Sequence, residues 1–173
     1  FYGAGVSRAT PFNHFKSKVG ICSAIIERGM RELYIDHPKE TQTVIGLFSD
    51  MTKYVISNKN SYQPIYGAVL QSIPPHSRAL RAAIKAIERR ISFQIQTGQL
   101  AAHTIPSALA EQLEIFWLGT IVLWSGGTIT SDEWLIRVEL GIELMLNGFY
   151  SEESREKLNR KLTRLQRKCT PLS

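Results

Sequence analysis

Residues 4–18 carry the side chains in this sequence whose types and spacing best suit chemistry. They read AGVSRATPFNHFKSK. Arg8 can donate two hydrogen bonds to the edge of a guanine, and Asn13 can form a matching pair with adenine. Groups that bind backbone phosphates stand beside them. They belong to Thr10, His14, Lys16 and Lys18. The segment therefore predicts a surface that reads a nucleic acid.

The same segment has the local signals of a tight turn followed by a helix. Gly5 can adopt the left-handed backbone conformation that a turn between two helices requires. Ser7 is a favourable N-cap, and the small side chain of Ala9 permits close approach to a groove. Pro11 lies so near the helix start that it predicts a local distortion rather than a break. We expect a recognition helix that begins at Ser7.

Residues 4–18 resemble the recognition-helix signature of transcriptional regulators of the tetracycline-repressor (TetR) type. The matching parts are AGVSRAT, an aromatic residue, NHF and KSK. The resemblance implies a dimer whose recognition helices enter successive major grooves of a near-palindromic operator. The DNA contacts that it implies are Ser7, Arg8, Ala9, Thr10, Phe12, Asn13, His14, Lys16 and Lys18. The family's first helix and most of its second have no counterpart, so we expect the sequence to be incomplete.

The charge balance favours a polyanionic partner. The formal net charge is +6 at pH 7, and the isoelectric point is near 9.5. From residue 151 onward there are seven basic residues against three acidic ones. Most of the excess therefore lies in a C-terminal tail, which predicts an amphipathic helix. A tail helix packed on the body and a tail that contacts nucleic acid or an acidic partner are both open.

Two further features indicate a cytoplasmic protein with no cofactor and no metal. Cys22 and Cys169 lie far apart and fit neither a metal-binding spacing nor a disulfide framework. The longest apolar run, residues 115–124, is interrupted and is shorter than the ~20 residues that a membrane span requires. We therefore expect no membrane partner.

Apolar residues recur at helical spacing along the chain, and no stretch alternates with period two, so the fold should be all-α. We divide the chain into two parts. Residues 1–36 form a partial helix-turn-helix and a connecting helix that ends near Asp36. Residues 37–173 form a larger antiparallel helical domain for ligand binding and dimerisation.

Local signals predict several helix ends within the larger domain. The polar cluster at residues 57–61 should separate two helices, the second of which spans residues 65–73. Gly98 should end a long helix. Thr130 and Glu133 have the spacing of a capping box, which marks the start of another helix.

Two consecutive helices rich in apolar residues, near 115–124 and 135–149, predict a four-helix interface with a second copy of the chain. The alternative is a monomer with a deep core. The residues expected at the interface are Leu113, Ile121, Trp124, Leu135, Val138, Ile142 and Met145.

Aromatic and apolar residues of the larger domain could surround a small molecule, with tyrosine hydroxyls as polar groups. The candidates are Phe48, Met51, Tyr54, Tyr62, Tyr66, Phe93, Phe116 and Trp117. Each of them also fits a simple core position.

The resemblance implies a regulator, by default a repressor, in which an unknown small-molecule inducer or co-regulator shifts the connecting helix and changes DNA binding. Two alternatives belong to other classes. One is a helical enzyme or small-molecule carrier, and the other is an interaction protein without DNA-binding activity. We expect no enzyme and no catalytic residue, because HExxH, GxSxG and phosphate-loop motifs are absent from the sequence.

Overall fold

The computed structural model describes residues 18–32, 43–69 and 78–168, which form seven α-helices and no strand. The helices are α1 (Lys18–Arg31), α2 (Val44–Ser57), α3 (Lys59–Val69), α4 (Arg78–Gln96), α5 (Pro106–Ser125), α6 (Ser131–Asn147) and α7 (Glu152–Gln166). The prediction of an all-α fold is confirmed. The boundary expected between residues 36 and 37 lies outside the described ranges.

The central layer of the fold is formed by α2, α4, α5 and α6. The most extensive contacts join α4 to α5 and α2 to α6, and α5 also packs on α6. Large side chains from these helices are fully buried together, as close packing of a single core requires. They include Phe48, Met51, Ile87, Ile91, Leu113, Trp117, Ile121 and Ile142. The helix α1 packs on one side of this layer, against α3 and α4.

Three tryptophans from α5 and α6 form one cluster in the core. The rings of Trp124 and Trp134 stack with centroids 4.6 Å apart, and Trp117 lies 6.0 Å from Trp134. Each buried indole N–H donates to a hydroxyl oxygen, which offsets the cost of removing it from water. The acceptors are those of Thr52, Ser131 and Thr120.

The predicted signals at two helix ends are present in the structure. Thr130 Oγ1 accepts from the backbone N–H of Glu133, whose side chain accepts from the backbone N–H of Thr130 at 2.7 Å. This capping box begins α6, as the spacing predicts. Gly98 follows α4 with φ of +73°, a conformation that favours glycine and turns the chain towards α5.

The break between α2 and α3 is shorter than the polar cluster predicts. Only Asn58 separates the two helices, and α3 begins at Lys59 rather than at residue 65. The side chain of Asn58 donates to the carbonyl oxygen of Tyr54 at 2.9 Å and so closes α2 locally. The polar residues that follow are exposed on α3 while Tyr62 is buried, so they form its outer face instead of a loop. Residues 70–73 lie outside the described ranges.

The basic tail forms a helix that packs on the body. Leu162 and Leu165 of α7 are buried, while Arg164 is exposed. Lys161 of this helix donates to the carboxylate of Glu143, which is fully buried on α6. Together the leucines and the ion pair attach α7 to α6.

Candidate ligand-binding site

A narrow cavity lies where α1, α2, α3 and α5 meet. It encloses about 10 Å³, which is roughly the space that one water molecule occupies. Its walls are Ile26, Gly29, Met51, Tyr54, Val55, Tyr62, Tyr66 and Trp117. Five of the eight predicted ligand-binding residues are among them: Met51, Tyr54, Tyr62, Tyr66 and Trp117.

Three of these side chains, Tyr54, Tyr62 and Tyr66, form a row that we call the tyrosine row. The ring centroids of Tyr54 and Tyr62 lie 5.9 Å apart, and so do those of Tyr62 and Tyr66. Tyr62 and Tyr66 share one face of α3 because residues four apart in a helix lie above one another. The hydroxyl of Tyr54 donates to Glu32, just after α1, at 3.1 Å.

The hydroxyls of the row are neutral near neutral pH. Burial is the main cause that raises the pKa of Tyr62, and its hydrogen bond with Tyr54 raises it further. Burial also raises the pKa of Tyr66, and the nearby charges of Tyr62 and Glu114 add to this effect. The row therefore offers uncharged aromatic faces and hydroxyls that can donate or accept hydrogen bonds.

One wall of the cavity belongs to α1, the helix that directly follows the predicted recognition helix. Ile26 is buried, and Gly29 lies so close to Tyr62 that a Cβ atom at position 29 would overlap the tyrosine hydroxyl. Glycine at this position allows α1 to approach the tyrosine row closely. The position of α1 and the filling of the cavity are therefore mechanically linked.

A buried acid on α5 lies beside this cavity, and the sequence analysis missed it. Glu114 stands one helical turn before Trp117 and is only 1% exposed. Among the described residues, neither of its carboxylate oxygens has a hydrogen-bond partner. Burial raises the pKa of Glu114 to about 8, so the group carries a proton at neutral pH. The available signal was an acid within an apolar helical stripe, between Ala110 and Trp117.

The other three predicted ligand-binding residues lie elsewhere. Phe48 is fully buried in the core on α2. Phe93 is partly buried on α4. Phe116 lies against Gly141 of α6, where a Cβ atom would overlap its ring, so it belongs to the contact between α5 and α6.

A second and wider cleft of about 530 Å³ lies between the start of α2, the end of α4 and α7. Its polar wall includes Gln94, which accepts from the backbone N–H of Val44 at 2.9 Å. Tyr150 donates to Glu143 at 3.2 Å, and burial and the charge of Glu143 raise the pKa of Tyr150. Because Glu143 also accepts from Lys161, these groups are satisfied within the chain and hold α6 and α7 together.

The predicted dimer residues lie mostly inside the chain itself. Five of them are buried by the chain's own helices: Leu113, Ile121, Trp124, Val138 and Ile142. Leu135 and Met145 are partly buried. The exposed apolar residues on the same two helices are Ile115, Val122 and Leu144, which are 56%, 51% and 47% exposed. These three side chains are the ones available to a partner.

The predicted DNA-contacting residues 7–16 lie outside the described ranges, and Lys18 is the first residue of α1. Within the described ranges, no group of three His, Cys, Asp or Glu side chains is placed to hold a metal ion. None of the helices in these ranges combines the length and the apolar character needed to cross a membrane.

No family model, no curated protein and no solved structure matches the chain. The function must therefore be inferred from its residues and their geometry.

Proposed function

We propose that the protein is a ligand-responsive transcriptional regulator, by default a repressor, that binds a near-palindromic operator as a dimer. The observation that carries the proposal is the place of α1. This helix directly follows the DNA-reading motif at residues 4–18, and its Ile26 and Gly29 form a wall of the tyrosine-lined cavity. One rigid element thus connects a DNA-reading segment to a candidate ligand site.

The closed cavity suits a switch. A ligand larger than one water molecule has to separate the walls, and the contact between Gly29 and Tyr62 leaves no free space there. Ligand entry would therefore displace α1 relative to α3. DNA binding responds to the ligand because the ligand prefers the displaced position of α1, and the two affinities change reciprocally.

Dimer formation is supported by the apolar residues that remain exposed. Ile115 and Val122 lie two turns apart on α5, and Leu144 lies on the neighbouring helix α6. Exposed apolar side chains on adjacent helices suit an isologous contact, in which the same helices of two copies meet. A dimer of this kind would present two recognition helices to one operator.

The test is a gel-shift and footprinting assay with the full-length protein on DNA that flanks its own gene. We expect a symmetric footprint whose affinity falls steeply with salt. Arg8→Ala and Asn13→Ala should each weaken specific binding by about 1–3 kcal/mol and relax base preference. Lys53→Ala is the control, because Lys53 is a basic residue exposed on α2.

A wild-type protein that gives no sequence-specific shift at any salt concentration contradicts the proposal. That result would favour the alternative of a helical protein that binds a small molecule or a partner protein without reading DNA. Equal losses in Arg8→Ala and Lys53→Ala would show that only the net charge matters for binding.

A further inference from the structure

The unpaired carboxyl of Glu114 is the feature of the body that packing alone does not explain. Buried polar groups in proteins nearly always have hydrogen-bond partners, and an unpaired acid inside a core is costly. Glu114 is nonetheless buried, and among the described residues both of its oxygens are unpartnered. Such a group is suited to a partner that arrives from outside the chain.

The surroundings of Glu114 define the chemistry of that partner. Its charge acts on Tyr66, which lines the cavity, and Trp117 lines the same cavity one turn further along α5. Faces of tyrosine and tryptophan rings attract cations through their quadrupoles, most strongly where water is excluded. A carboxyl group beside two such rings is the set of groups that holds an organic cation.

We infer that the ligand of this cavity is an organic cation with an apolar or aromatic body, whose charged group pairs with Glu114 beside the rings of Tyr66 and Trp117. This inference deepens the proposed function and rests on it in taking the cavity as the site of the effector. The apolar body of the ligand would lie along Met51 and Val55, which also line the cavity.

The proton balance of the binding step follows from the buried state of Glu114. In the free protein near neutral pH the carboxyl is protonated. When a permanent cation binds, the O–H bond of the acid breaks, the proton passes to the buffer, and the carboxylate pairs with the cation. The titratable groups that face Glu114 are Tyr66 and, beyond it, Tyr62 and Tyr54. The first two have raised pKa values and remain neutral, so the released proton comes from Glu114.

The probe is benzyltrimethylammonium, with phenethyl alcohol as a neutral aromatic molecule of similar size. Isothermal calorimetry with the protein alone should give a cation affinity at least about tenfold higher than that of the alcohol. Runs in two buffers of different ionisation enthalpy should show the release of about one proton per cation near neutral pH. Equal binding of both probes, or binding of neither, overturns the inference without any variant.

Two variants then locate the charge. Glu114→Gln should lower the cation affinity about tenfold or more and abolish proton release, with the affinity for phenethyl alcohol unchanged. Glu111→Gln changes an exposed acid on the same helix and should leave both quantities as in the wild type. Unchanged cation binding in Glu114→Gln overturns the assignment.

DNA binding separates this inference from the proposed function. If the protein binds its operator but not the cation, the ligand class is wrong and the regulator stands. If the cation binds with proton release and no operator is bound, the ligand class stands and the regulator is wrong.

Discussion

The hydroxyl of Tyr62 on α3 lies directly against the backbone of Gly29 on α1, in the space that a side chain at position 29 would occupy. The next ring atom, Cζ, is 3.3 Å from the place of that Cβ atom, so the hydroxyl alone makes the severe contact. The closest approach of α1 to the tyrosine row therefore depends on the smallest residue on one side and one oxygen atom on the other.

Gly29→Ala should destabilise the protein by about 1–3 kcal/mol, because the added methyl group has to displace Tyr62 or α1. In a Tyr62→Phe background the same substitution should cost clearly less, since the colliding oxygen is gone. Urea unfolding of the four proteins in this double-mutant cycle measures the difference. An equal cost of Gly29→Ala in both backgrounds would contradict the contact.

The stability of the protein should fall as Glu114 loses its proton. Its pKa is raised from 4.5 to about 8 in the folded state, so the folded state binds this proton more tightly than the unfolded state does. The resulting stability is fully present below pH 4.5 and is lost as the pH rises to about 8. The slope approaches about 1.4 kcal/mol per pH unit within this window.

Unfolding by urea at a series of pH values measures this slope. Glu114→Gln should flatten the decline, while Glu111→Gln should follow the wild type because Glu111 is exposed on the same helix. A wild-type profile as flat as that of Glu114→Gln would show that the carboxyl does not hold its proton in the folded protein.

Gly141→Ala should weaken the contact between α5 and α6. A Cβ atom at position 141 would overlap three atoms of the Phe116 ring, which is too rigid to bend away. We expect a loss of about 1–3 kcal/mol in thermal or urea unfolding. Gly67→Ala is the matched control, because Gly67 is exposed in α3 with open space around it and should gain up to about 1 kcal/mol. Equal stability of the two variants would refute the close approach.

Val122→Lys should convert the proposed dimer into a monomer. Val122 is 51% exposed on α5, so a lysine there is tolerated by the folded chain but places an unpaired charge in an apolar interface. Sedimentation velocity should show a dimer for the wild type and for Ser57→Lys, an exposed position on α2. A wild-type monomer at all concentrations tested rules out the dimer.

Helix ends could be predicted from the sequence because they depend on neighbouring backbone groups. The capping box of Thr130 and Glu133 satisfies N–H groups within a single turn, and Gly98 supplies a local conformation. The start of α3 was predicted too late, because Lys59 and its neighbours are polar for a different reason. They cover the exposed face of a helix whose inner face carries Tyr62.

The composition of the cavity was partly predictable, but its limits were not. Tyr62 and Tyr66 share a helical face, which their spacing indicates. Phe48 and Phe116 have the same aromatic character, yet they pack in the core and between α5 and α6. Which aromatic residues meet α1 depends on how distant helices pack, and no local pattern contains that information. The isolated burial of Glu114 is likewise a tertiary property.

The tryptophan cluster makes the chain its own optical reporter. The sequence contains three tryptophans, and all of them lie in this cluster, with Trp117 also forming part of the cavity wall. Indoles at such separations exchange excitation energy, and neighbouring tyrosines transfer theirs to the nearest indole. The intrinsic fluorescence of the protein therefore reports on one small region. A molecule that enters beside Trp117 would alter nearly the whole emission without any attached dye.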